Sequence, residues 1–384
     1  MIPRSVIVIG AGLAGCALAR ALTRRGCSVI LIDDADVRAG SRQTALAVHP
    51  AHAPDASPAS RLSRLGLSLL AQDAISGDGL NPGWWALPRL QRMDATRARA
   101  LAQAWPGGPL ELHQEGLLWT QPSAVDPLAL LNRWQHEAAQ QGRLQSIPAR
   151  IASLKWQEDA WLARNERGVE LARAGDAVIC MGYRSADLAL PSTIGSGPWL
   201  HAAGWQLREG HCSLSRRPAV PDSMVIGVQG EGHQIPLPDG QVLYGPRGRE
   251  DGLRGREGRP LGREGCESIE DRQALQEGVR ASVRDHLPLA GALPDLGVLQ
   301  ARWTELRRND RLPIPRQNGL WMLSALGGRG LLWCLPAAEH LAAQVLAQPS
   351  LLDSGLSAAI DPARFLRRAL RSGLPDLTQA LGLA

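Results

Sequence analysis

Three glycines stand in one short run, Gly10-Ala11-Gly12-Leu13-Ala14-Gly15, directly after the β-branched stretch Ser5–Ile9. That spacing suits the cradling of a pyrophosphate. Gly10 lets a strand turn sharply into a helix, and Gly12 lets a phosphate reach bare backbone. Gly15, with Ala19 one turn on, lets the helix lie close to the sheet. Leu13 and Ala14 open that helix, whose free N–H groups and positive dipole end attract phosphates. A second strand over 28–32 ends on Asp33, followed by Asp34. Asp33 can accept hydrogen bonds from ribose hydroxyls, and its charge repels a 2′-phosphate, which favours FAD or NAD over NADP. The competing reading is an ordinary buried strand–helix pair. The strand, Ala19, Gly26 and the terminal acid all fall in the register that dinucleotide binding needs.

A second strand–glycine–helix unit closes the chain. Residues 319–326 read as a strand, Gly327-Gly328-Arg329-Gly330 as a turn, and 336–346 as a helix. Between the two units the patterns predict helices at 60–73, 95–105 and 126–140 and a strand at 116–120. They also predict a meander at 147–156, 160–165 and 169–172, and a buried strand at 176–181 ending on Gly182. Several strands follow over 199–244, then a Gly/Arg-rich loop at 246–265, a helix from about 270, a turn-rich segment at 284–294 and a basic helix at 362–371. A β-rich middle is thus inserted between pieces of one nucleotide-binding domain. The expected division is 1–80, 126–198 and 275–384 for the cofactor, with 81–125 and 199–274 for the substrate. A long cofactor reaching from the first glycine turn to the last suits FAD. Separate FAD and NAD(P)H sites would need a second fingerprint, and none is present, so the substrate itself supplies the electrons.

Composition narrows the partners. The 384 residues carry a formal charge of +5, a mild excess compatible with a polyanion such as RNA without requiring one. Lys155 is the single lysine, so any anion site must use arginine, histidine or backbone N–H groups. Six scattered cysteines without a CxxC pair fit a reducing cytoplasm. His49 and His52 lack metal-ligand spacing, and no metal is expected. No run is long enough to cross a membrane.

The chain resembles the D-amino-acid-oxidase-like family of FAD oxidoreductases. Within it, the chain resembles the branch that forms the FAD domain of bifunctional tRNA 5-methylaminomethyl-2-thiouridine biosynthesis proteins. The matching stretches are VIVIGAGLAGCALARALTRRGCSVILID, SRQTALAVHPAHAPDASPASRLSRLG at 41–66, DPLALLNRW at 126–134, VRASVRDHLPLAGALPD at 279–295, GLWMLSALGGRGLLWCLPAAEHLAAQVL at 319–346, and a tail containing DPARFLRRALR. Three features depart from the family pattern: His49 stands where an aromatic is expected, Arg208-Glu209-Gly210-His211 replaces an Arg-Gly-Gln pattern, and 247–263 is an insert.

The resemblance implies an α/β fold: a Rossmann-like, glutathione-reductase-type FAD-binding domain with an inserted β-rich substrate domain. It implies removal of the carboxymethyl group from 5-carboxymethylaminomethyl(-2-thio)uridine at the tRNA wobble position, giving 5-aminomethyluridine and glyoxylate. The step of the methyltransferase domain that normally precedes such domains is expected to come from a separate enzyme here, or the pathway stops early. FAD is expected to be non-covalent, because no cysteine or histidine follows Arg280 at the attachment position. Ser41, Arg42, Ala45 and Ala47 would run along the pyrophosphate and flavin, or form a plain surface loop. Ile151 would pack near adenine or serve the core, and Gly182 would lie against the cofactor. Gly327, Gly328, Arg329, Gly330 and Leu331 would sit beside the flavin. Arg280 would bind the substrate carboxylate through its planar fork, or form a surface salt bridge. Glycines on both sides of Arg329 favour a site role. His49 would face the substrate or orient a water, or be a structural loop residue. tRNA contacts could come from Arg208, Arg216, Arg217, the 247–263 insert, Arg364, Arg367, Arg368 and Arg371, or these could be solvated basic faces. Two other readings stand: a small-molecule amine or amino-acid oxidase taking glycine- or sarcosine-like substrates, and a non-catalytic, FAD-stabilised RNA-binding protein.

Overall fold

Continuous apolar runs suit strands covered on both faces, and Ser5–Ile9 is such a strand. It lies parallel to Ser28–Asp33 on one side and Asp176–Ile179 on the other. The computed structural model describes residues 4–50, 53–76, 79–191, 196–215, 224–226, 233–245 and 272–382. The full sheet runs Leu144–Pro148, Ser28–Asp33, Ser5–Ile9, Asp176–Ile179, Arg316–Ser324, Leu289–Pro294, and only the last pair is antiparallel. Arg4 donates to both carboxylate oxygens of Asp176 (2.6 and 3.0 Å), and the Trp321 indole donates to the same group. Helix Leu13–Arg24 is buried along all but its last residue and packs against the nearly all-buried helix Gly330–Val345. A separate antiparallel meander is formed by Ser153–Gln157, Ala160–Arg164 and Glu170–Ala174.

The chain divides into two compact units. Residues 1–40, 131–208 and 280–384 form the first, and 41–130 and 209–279 the second. Residues 41–80 were expected with the nucleotide-binding pieces and group instead with the second unit. The reason is local: the Gln43 amide donates to the Glu277 carbonyl (3.1 Å), and the Thr44 N–H donates to the Gln276 side chain (2.9 Å). The second unit holds an eight-stranded sheet, ordered Arg272–Ser282, Gln206–Ser215, Val242–Gly245, His233–Pro236, Met224–Ile226, Arg89–Arg92, Gly116–Trp119, Leu110–His113. A small sheet of Leu46–Ala47, Ala124–Val125 and Trp84–Trp85 shares its core, where Ala45 and Ala124 meet Ile235, Leu237 and Leu243.

Several elements differ from expectation. The helix expected from about 270 is the strand Arg272–Ser282; helix-forming residues there yield to pairing within a sheet. The turn-rich 284–294 contains the strand Leu289–Pro294, and helix Leu296–Arg308 follows. The helix read as starting at Pro336 starts at Gly330 and carries Pro336 inside it. Proline leaves the carbonyl four residues back without its usual donor, but the glycine turn, not the proline, sets the start. The expected loop at 246–265 lies outside the described residues.

The tail is clamped to the first unit. Arg364 donates to both Asp285 oxygens (3.0 and 2.7 Å) and to the carbonyls of Leu287, Pro288 and Asp361. Burial pushes the Asp285 carboxyl up, but the hydrogen bond and charge of Arg364 outweigh it and hold the group below the usual range. Arg364→Ala leaves a half-buried carboxylate and three carbonyls without this donor. The expected cost is about 3–5 kcal/mol, read as a lower urea midpoint, with Arg364→Lys restoring only part because its ammonium lacks the fork.

His340 is a second buried polar group. Its Nδ1 meets the Ser350 hydroxyl at 2.6 Å, its Nε2 has no partner, and burial lowers its pKa. Above the ordinary histidine value of about 6.5 the ring is neutral in both states. Below it the unfolded chain takes a proton that the folded chain refuses, so stability falls with pH. Urea midpoints at pH 7.5 and 5.5 are expected to diverge less in His340→Gln than in wild type.

Candidate functional site

The first glycine turn has no room for side chains. Gly10 has φ +103°, and a Cβ there would lie 2.5 Å from the Cys180 carbonyl oxygen. A Cβ at Gly15 would lie 1.7 Å from the Gly10 oxygen. Gly12 is the N-cap of helix Leu13–Arg24; no side chain caps this end and no acid lies in its first turn. Six other helices differ: Ser57, Asp94, Asp126, Asp295, Asp353 and Asp376 each cap one with an oxygen, whereas Arg364–Arg371 is also without a side-chain cap. Helix Gly330–Val345 is also uncapped and also follows a glycine turn. A Cβ at Gly330 would lie 3.5 Å from Leu13, so the two turns meet. Two adjacent helix starts without a capping side chain or a nearby acid suit a group of two phosphates.

The acid end is fixed in detail. Asp33 accepts the Ala11 N–H on one oxygen and the Ala35 N–H on the other, both at 2.9 Å. Asp34 pairs with Arg184, and the Tyr183 hydroxyl donates to Asp36. Burial, with help from Asp36, pushes the Tyr183 phenol up to about 12. Tyr183 and Arg184 follow Gly182 (φ +54°), which has open space above its α-carbon. Asp36, Tyr183 and Arg184 were missed from the sequence; their signal is a polar pair directly after a strand-ending glycine. Ile151 is buried in the core of the first unit.

The second turn lies against the end of strand Arg272–Ser282. A Cβ at Gly328 would lie 3.3 Å from Arg280 Nη1, and one at Gly327 3.8 Å from the Ser282 Cβ. Alternate strand residues share a face, so Arg280 brings Ser282 with it; that serine was invisible while the segment was read as helix. The Ser282 hydroxyl and Arg329 Nε are buried without partners. Arg329 lies over Trp333, 5.3 Å to the ring centre, and burial lowers its pKa. Among the described residues no carboxylate pairs with Arg280 or Arg329. Two cations and a buried hydroxyl without an acid make a place for an anion. Leu331 is buried behind them.

In the second unit, Ala45 is buried, Ala47 pairs with Ala124, and Ser41 and Arg42 are half-buried beside them. His49 follows; its Nδ1 faces Nη1 of Arg89 at 3.2 Å. Arg89 was not foreseen. No local sequence signal marks it; the structure places it in a strand opposite Trp119.

The tail arginines are engaged structurally. Arg364 and Arg368 pair with Asp285, Arg371 pairs with Asp310, and Arg367 donates to the Asp310 and Leu312 carbonyls. Arg208 lies beside Gln206. Arg216, Arg217, His52 and the 247–263 insert lie outside the described residues. Among the described residues no cluster of three His, Cys, Asp or Glu could hold a metal, and no helix is long and apolar enough to cross a membrane.

The model of the DAO family, FAD dependent oxidoreductase, matches residues 5–344. The tRNA 5-methylaminomethyl-2-thiouridine biosynthesis bifunctional protein MnmC of Burkholderia pseudomallei (strain 668) is 32% identical over 96% of this chain. The chain spans 60% of the length of that relative. Among solved structures, glycine oxidase from Geobacillus kaustophilus has a TM-score of 0.64 at 17% identity, covering 94% of this chain and 99% of that one. Iminodiacetate oxidase from Chelativorans sp. BNC1 has a TM-score of 0.64 at 18% identity, covering 91% and 97%. These two share the fold. The family match runs across both bare helix starts and places this chain in the DAO family of FAD-dependent oxidoreductases.

Proposed function

We propose that this enzyme removes the carboxymethyl group of 5-carboxymethylaminomethyl(-2-thio)uridine at the tRNA wobble position, giving 5-aminomethyluridine and glyoxylate. The approach of Arg280 to the Gly327–Gly330 turn carries the reading, because it joins two acid-free cations where a glycine carboxylate can be held. The printed name of a relative 32% identical over 96% of the chain supports tRNA as the bearer of that glycine.

The roles follow from the groups present. Arg280 supplies a fork for the carboxylate, and Arg329, backed by Trp333, adds a second charge. The Ser282 hydroxyl donates a further hydrogen bond. Gly10, Gly12, Leu13, Ala14, Gly15 and the 327–331 turn hold the cofactor by backbone, with Asp33 and Asp34 at its ribose end. Gly182 and Ile151 flank it in the first unit. FAD, when bound, supplies the two-electron oxidation. The oxidised N–Cα bond is an imine, which water splits into the amine and glyoxylate. His49 offers a hydrogen bond on the substrate side. The freed amine is then open to methylation, in the cytoplasm.

A second reading is an oxidase of free glycine- or sarcosine-like amines. The same carboxylate fork serves such substrates, and the fold is shared with glycine oxidase and iminodiacetate oxidase.

Anaerobic mixing separates them. Wobble-modified tRNA is expected to bleach the yellow protein, while glycine, sarcosine and D-amino acids leave it coloured. Bleaching by free amino acids alone moves the assignment to the second reading. Bleaching by none points to an FAD-stabilised RNA-binding protein. Arg280→Ala is expected to stay yellow and to lose about 10–100-fold in kcat/KM, the worth of a charged hydrogen bond. An unchanged value removes Arg280 from the site.

A further inference from the structure

Arg89 is wholly buried and no carboxylate among the described residues pairs with it. Its Nε and Nη2 have no partner. Burial draws its pKa down to about 9, so it remains mostly charged at neutral pH. A bare buried charge is costly. Here aromatic faces take the place of an acid. Arg89 stands opposite Trp119 on the neighbouring strand, with its guanidinium 4.5 Å from the ring centre. Trp119 meets Trp105 edge-on at 6.0 Å, and Arg64 lies 5.8 Å over Trp105. The row reads Arg64, Trp105, Trp119, Arg89, His49.

We infer that Arg89 is a positioning residue that holds His49 as the neutral tautomer with its proton on Nε2. A guanidinium has donors and no acceptor. Arg89 Nη1 therefore donates to His49 Nδ1 across the 3.2 Å between them, and that nitrogen carries no proton. A proton there would set N–H against N–H and charge against charge. The remaining ring nitrogen is then a fixed donor. The lack of an acid on Arg89 is part of the device. A carboxylate would draw the guanidinium hydrogens to itself, whereas a π face balances charge and leaves Nη1–H for the histidine. The role of that donor toward substrate rests on the placement of His49 in the reading above; the tautomer does not.

The test uses the full FAD-loaded protein with its nine histidines labelled with 15N. His49 is assigned by the signal lost in His49→Gln. Two-bond 1H–15N spectra at neutral pH are expected to show an unprotonated Nδ1 and a protonated Nε2. In Arg89→Met, which keeps the volume and removes the charge, Nδ1 is expected to lose that fixed state. A wild-type ring protonated on Nδ1 overturns the inference, whether or not the variant folds. An unchanged pattern in folded Arg89→Met does so as well. In substrate bleaching, Arg89→Met and His49→Gln are expected to slow the rate by similar factors, with the double variant no slower than either. An intact tautomer with unchanged bleaching in His49→Gln removes His49 from the substrate site and leaves its pairing with Arg89 standing.

Discussion

There is no space for a single methyl group at position 15. The helix that begins at Leu13 meets the turn that feeds it at a distance only glycine allows, with the virtual Cβ 1.7 Å from the Gly10 oxygen. That contact seats the helix on the central strand and leaves its start bare at the end of that strand. The second turn meets the first through Gly330 and Leu13. The two helix starts therefore offer backbone N–H groups rather than side chains to an anion. Side-chain charge is left for other work, which matters in a chain whose basic groups are almost all arginine.

Those arginines sort by what faces them. Arg364 is buried with an acid and three carbonyls, and it fastens the tail. Among the described residues Arg280 and Arg329 face no acid and stand beside a turn of glycines, so their charge is left available to an anion. Arg89 also faces no acid among the described residues; it is sealed from solvent between the Trp119 ring and His49, so its charge acts on those two groups. Breaking a buried pair costs several kcal/mol, whereas an exposed pair is worth less than about one. A residue count would give all four the same meaning, and their surroundings separate them.

Much of this was legible in the residues. The glycine fingerprint, its flanking strands and the acid at Asp33 lie within one local unit, where spacing and geometry are the same information. The helix Pro127–Gln140 was also clear, because its start signal and apolar period agree. The strand Arg272–Ser282 was not: its alanines, glutamines and glutamate favour helix, and pairing with residues far away in sequence decides otherwise. With that strand unread, Ser282 could not be placed beside Arg280. The same holds for Arg89. Nothing near it in the chain marks it as buried, because the wall around it comes from Trp119 and, through Trp119, Trp105. Residues 41–80 grouped with the second unit for a similar reason, through bonds to Gln276 and Glu277.

The discontinuous first unit has a consequence for synthesis. Its opening strand and helix leave the ribosome well before the strand Arg316–Ser324 and the helix Gly330–Val345 that complete their packing. The Arg364 clamp arrives later still. The second unit, ending at residue 279, is fully made before then. At ~5–20 residues per second, the first helix waits about 15–60 seconds for its partner while the inserted unit can already fold. The bare start of the first helix therefore stays without its neighbouring turn until residues 327–330 have been made.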